Sequence, residues 1–177
     1  MSLLQTVNPE QAEGKVDELY DTFKEAIGFI PNAFRLYSIN PEMLEQHWQY
    51  LSYHINHPTL SGKLMVMIRL LVSTAQHCEY CININTHLLN KELGMAMAEI
   101  HAIKDDPDKA PLEPREKALL KYVVKATLDS NAVDKSDIDV LHESGCSDQE
   151  IFDALHHGAR QVASDILFNA FKIENDF

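Results

Sequence analysis

The residues of this sequence best suited to covalent chemistry are Cys78 and Cys81, two thiols separated by Glu79 and Tyr80 and preceded by His77. A CxxC pair at a helix start has a physical purpose. The free N–H groups and dipole of the first turn favour a thiolate, the nucleophilic form, and the second thiol can resolve the oxidised first. His77, if protonated, would assist thiolate formation, whereas the carboxylate of Glu79 would oppose it. Metal binding is a second reading of the same pair, but structural zinc takes four ligands. Only His77 and His87 lie near, with no second CxxC and no paired histidines. A plain packing role for the two cysteines is the third reading. Cys146 follows Gly145 near a helix start and reads as a small, semi-buried thiol.

The elements that must position these thiols are helices. Asn8-Pro9-Glu10 and Asn40-Pro41-Glu42 each set a capping side chain before a proline at the first helical position. The first helix should run from there to Ile27 and stop at Gly28, a short helix should carry Phe34, Leu36 and Tyr37, and a third should span Pro41 to Ile55. Ser61 caps a helix from Lys63 to about Gln76 whose run Leu64 to Val72 is apolar nearly all round, so it belongs in a core or against another subunit. After Cys78 the chain should be helical to Leu93, with Gly94 as its C-cap and a short helix over Met95 to Ile103. The charged, proline-rich stretch Lys104 to Pro114 is an exposed loop. Leu112 to Thr127 then echoes Leu60 to Thr74, and Ser144-Gly145 before Glu150-Ile151 echoes Leu93-Gly94 before Glu99-Ile100. Ser147 and Glu150 have capping-box spacing for a last helix to about Asn169. The expectation is therefore an all-α single domain over 1–177, with N-terminal helices in 1–58, a CxxC-bearing half in 60–103 and a second half in 112–177, weakly duplicated.

Composition narrows the function. Twenty-seven acidic against 15 basic residues give a formal charge of −12, with no basic cluster, which disfavours nucleic acid as a partner. No stretch approaches the roughly 20 apolar residues of a membrane span, and no leader precedes the first helix, so a cytoplasmic protein away from membranes is expected. In a reducing compartment CxxC reads as redox-active or metal-binding rather than as a structural disulfide. His47, His54, His57, His101, His142, His156 and His157 show no metal-ligand spacing and read as solvated or core imidazoles. Trp48, Tyr50 and Tyr53 read as core or as the lip of a pocket.

Gly28-Phe29-Ile30-Pro31-Asn32, the Leu60-Ser61 helix entry, Cys78-Glu79-Tyr80-Cys81, Gly94 with Glu99-Ile100, and Ser144-Gly145 with Asp148 to Ile151 together resemble one family. It is the alkylhydroperoxidase D / carboxymuconolactone decarboxylase family, within it the peroxidase-related proteins. The resemblance covers nearly the whole chain. It implies an all-helical subunit assembling as a dimer, trimer or hexamer, with Cys81 attacking a small hydroperoxide, Cys78 resolving, and an external dithiol as reductant, without metal or cofactor. Peroxidase members add a glutamate twelve residues before the first cysteine and a histidine four after the second. Here those positions hold Val66 and Asn85. At about 100° per residue Asn85 shares one helical face with both cysteines, whereas His87 lies about 120° from Cys81. An amide can hydrogen-bond an oxidised sulfur or a peroxide oxygen but cannot shuttle a proton, so weakened turnover is expected. Asn85, Glu79, His77 and His87 are the supporting candidates. The alternatives are a ligand-binding or assembly protein on the same fold, and a cofactor-free lactone decarboxylase.

Overall fold

The computed structural model describes residues 2–177, and among them all regular structure is helical. In chain order the α-helices are α1 (Lys15–Ile27), α2 (Asn32–Tyr37), α3 (Pro41–Ile55), α4 (Gly62–Ala75) and α5 (Glu79–His87). They continue with α6 (Met97–Asp105), α7 (Pro114–Leu128), α8 (Lys135–Glu143) and α9 (Asp148–Phe171). No helix among the described residues is long and apolar enough to cross a membrane.

The capping residues act as their types dictate. Asn40 accepts a hydrogen bond from Met43 N, and Ser61 accepts one from Leu64 N while its own hydroxyl donates to Glu116. Ser147 and Glu150 form the reciprocal box that opens α9. Gly28 ends α1 in the left-handed region at φ 89°. Three expectations differ. Pro9–Gln11 forms only a 3-10 turn, because Gly14 at φ 56° breaks the chain direction before α1 begins. The α8 helix, capped by Asp134, lies where the sequence reading placed no element. The helix after Cys78 does not run as one α-helix to Leu93: α5 ends at His87 and the chain widens into a π-helical turn over Leu88–Glu92.

The apolar helix α4 is buried as its sequence predicts, with Leu64, Met67, Ile68 and Leu70 fully enclosed. They pack with Leu119, Leu120 and Val123 of α7 and Ala154 of α9, so the two echoing segments build a common core. A second cluster stacks Phe23 of α1 on Phe34 of α2, edge-on to Trp48 of α3. A third surrounds the thiols with Leu36, Tyr80 and Phe168. The space between these three clusters is the cavity described next.

Candidate active site

Cys78 is the N-cap residue of α5 and Cys81 sits one turn into it. The Cys78 amide donates to Ser73 O at the end of α4, which fixes where α5 begins. Both cysteines are unpaired thiols, fully and almost fully buried at 0 % and 3 % exposure. Their sulfurs and a carboxylate oxygen of Asp165, on α9, all lie within 4.8 Å of one another. A disulfide needs the sulfurs at about 2.05 Å, so the two thiols must move together to form one.

Asp165 is the residue that sequence reasoning missed. It is completely buried, and its Oδ1 accepts from Ser73 Oγ at 2.9 Å and from Gln161 Nε2 at 2.8 Å. Oδ2 has no hydrogen-bond partner. Burial raises the Asp165 pKa, against the opposing hydrogen bonds from Gln161 and Ser73 and the influence of the nearby thiols. The Cys81 thiol is also pushed up, first by its hydrogen bond with Cys78, then by burial and by the nearby Asp165 carboxylate. A thiol and a carboxyl that both resist ionisation share the protons of the site between them. The same three side chains form the one group among the described residues that could grip a metal ion, one ligand short of a closed structural zinc site.

Cys81, but not Cys78, lines a cavity of about 430 Å³. Its walls are largely apolar, with Phe29, Phe34, Trp48, Tyr50, Phe168 and Phe177 among them. Phe177 stacks on His87 with ring centroids 4.0 Å apart and meets Phe29 edge-on. The segment carrying it is tied down by Asp176, which accepts from Tyr80 Oη at 2.6 Å and from Asn32 N at 2.8 Å.

The other sequence candidates divide. Asn85 is buried and lines the cavity, but its amide is already committed: Nδ2 donates to Cys81 O, and Oδ1 accepts from Arg69 Nε at 2.8 Å. His87 lines the cavity wall through its stack on Phe177 and is not in the cluster that holds the sulfurs. His77 and Glu79 are exposed beside the thiols and do not line the cavity, so the structure does not bring them into the site. Val66, at the position of the family's glutamate, contributes only an apolar wall. Trp48 and Tyr50 line the cavity, whereas Tyr53 is exposed and donates to Asp153. Of the histidines read as solvated or satisfied, three differ: His47 Nδ1, His54 Nε2 and His157 Nε2 are buried without a partner. Burial, reinforced by Arg160 and Arg69, holds His47 down to a pKa of about 3, so it is neutral.

No protein-family model matches this sequence, and no curated protein matches it. Solved structures do. A peroxidase-related protein from Ralstonia eutropha JMP134, described as an alkylhydroperoxidase AhpD core, superposes with a TM-score of 0.85 at 20 % identity, over 99 % of this chain and 92 % of that one. A peroxidase-related protein from Silicibacter sp. TM1040 gives 0.81 at 19 % identity over 98 % and 91 %. The debrominase Bmp8 gives 0.79 at 17 % identity over 98 % and 92 %. Resemblance at this level of identity speaks to architecture, and it agrees with the motifs read from the sequence: this chain has the alkylhydroperoxidase D-like helical fold.

Proposed function

We propose that the chain is a dithiol peroxidase in which Cys81 attacks, Cys78 resolves and Asp165 carries the proton. The observation that supports this most directly is the cluster of two free sulfurs and one carboxylate within 4.8 Å, with Cys81 alone of the two thiols on the cavity wall. Asp165 takes the proton of the Cys81 thiol, and the thiolate attacks the terminal oxygen of a hydroperoxide. The O–O bond breaks, the hydroxyl stays on sulfur as a sulfenic acid, and the alkoxide leaves as an alcohol with the proton returned by Asp165. Cys78 then attacks the Cys81 sulfur, expelling water and forming the disulfide. An external dithiol reopens it by exchange, becoming a disulfide itself. Asp165 so replaces the proton-transfer groups whose family positions hold Val66 and Asn85.

Purified protein with dithiothreitol should consume an organic hydroperoxide catalytically, and Cys81→Ser should abolish the turnover. Without dithiothreitol, Cys78→Ser should stop after one oxidation, with a sulfenic acid on Cys81 that dimedone traps. Equal turnover by wild type and Cys81→Ser refutes the proposal.

A second reading, a ligand-binding protein with inert thiols, draws support from one observation: the Cys81 thiol is held well above the ordinary thiol range. Failure of both thiols to oxidise under mild peroxide, with the protein folded, would favour it.

A further inference from the structure

Arg69 is an isolated cation in the cavity. Its Nε donates to the Asn85 side chain, and among the described residues no carboxylate pairs with the guanidinium. It lines the cavity together with Cys81 and His47. Burial lowers the pKa of Arg69, with Tyr50 and Cys81 opposing the change, so the guanidinium sits where its charge is costly to leave uncompensated. Fixing Nε on Asn85 leaves the terminal nitrogens of a planar fork, the geometry that takes a carboxylate through paired hydrogen bonds. His47 lies on the same wall as a neutral imidazole, so it adds no competing charge beside Arg69. The remaining walls are mostly aliphatic and aromatic, the one carboxylate among them being the exposed Glu92, and about 430 Å³ is a volume that holds a small organic molecule rather than an ion or a peroxide alone.

The geometry points to a specific ligand class: we propose that the cavity binds an organic monocarboxylate with an apolar or aromatic body, its carboxylate on Arg69 and its body against Trp48 and Phe34. The proposal rests on reading this cavity as the substrate site of the thiols, and it assigns the substrate hydroperoxide a carboxylate. The chain's net charge of −12 repels anions at a distance, so recognition must come from short-range contact with Arg69, inside the screening length of about 8–10 Å.

The test separates binding from turnover. Affinities of phenylbutyrate and of its neutral amide are measured by calorimetry on reduced wild type, Cys81→Ser and Arg69→Gln. Trp48, the sole tryptophan, reports occupancy through its fluorescence. A charge-assisted pair predicts that the acid binds roughly 10- to 100-fold tighter than the amide. That preference should appear in wild type and Cys81→Ser and vanish in Arg69→Gln. Equal affinity for acid and amide in wild type, no binding of either, or a preference that survives in Arg69→Gln overturns the proposal. If Arg69→Gln does not fold, Arg69→Lys takes its place: losing the fork should cut the preference severalfold, and an unchanged preference overturns the assignment. Because Cys81→Ser binds without reacting, an intact acid preference with no hydroperoxide turnover sinks only the peroxidase reading. Turnover without acid preference sinks only this one.

Discussion

Asp165 has one oxygen bonded to Ser73 and Gln161 and the other without a partner, in a carboxylate that lies beside two sulfurs, an arrangement that costs stability and suits proton transfer. Its raised pKa gives the sign of the effect. The unfolded carboxyl releases its proton near the ordinary value of about 3.9 while the folded one still holds it. Stability therefore falls as pH rises through the interval between the two, and the loss is complete above the folded value. Asp165→Asn keeps an oxygen for Ser73 and Gln161 and removes the titration. It should raise the melting temperature at neutral pH and flatten its dependence on pH, while cutting hydroperoxide turnover about 10²- to 10⁴-fold. Melting curves across pH, run beside a turnover assay, check both halves; a variant equally active, or less stable at neutral pH, contradicts the role. The thiols were legible in the sequence because CxxC is local. Asp165 was not, since it enters from a distant helix and its only signal is Gln161 and Asp165 falling in register with buried Ala154, His157 and Phe168 on α9.

At the level of elements, α9 brings Asp165 to the thiols, and its approach is set by Gly158. A Cβ there would run into Val123 Cγ1 of α7, with Thr127 Cγ2 at 3.2 Å. Gly158→Ala should therefore push α9 from α7, destabilise by about 1–3 kcal/mol, and lower peroxidase turnover by displacing Asp165. Denaturant unfolding and the turnover assay measure the two effects, and unchanged stability would show that the crossing is not set there. Helix ends were readable wherever a capping side chain or glycine announces them, as at Asn40, Ser61, Ser147 and Gly28. The π-helical turn after α5 was not, because no residue type codes for the wider hydrogen-bond spacing; it carries Leu88 and Leu89, which pack on the main core. The cavity likewise arises from aromatic residues of α2, α3 and α9 that each read as ordinary core.

On the scale of the whole molecule, the surface of α7 to α9 leaves Leu128, Val140, Phe152 and Ile166 each more than half exposed. Large apolar side chains left this exposed are available for burial against another copy. We propose that the protein assembles with copies of itself, as its resemblance to the peroxidase-related proteins implies. Light scattering at micromolar concentration should then return a multiple of 20.1 kDa, two, three or six protomers, and a stable monomer would contradict it. The fold was visible in the sequence at this scale because caps, the all-round apolar α4 and the glycine stops agree with one another.

The measurement that bears most directly on the function is the mass of the peptide holding Cys78 and Cys81 after one equivalent of hydroperoxide, taken without reductant. The dithiol mechanism predicts loss of two hydrogens through a bond between the two sulfurs, one alcohol released per chain, and full reversal by dithiothreitol. Thiols still free after the peroxide is spent, or oxygen added to sulfur that no dithiol removes, would contradict it.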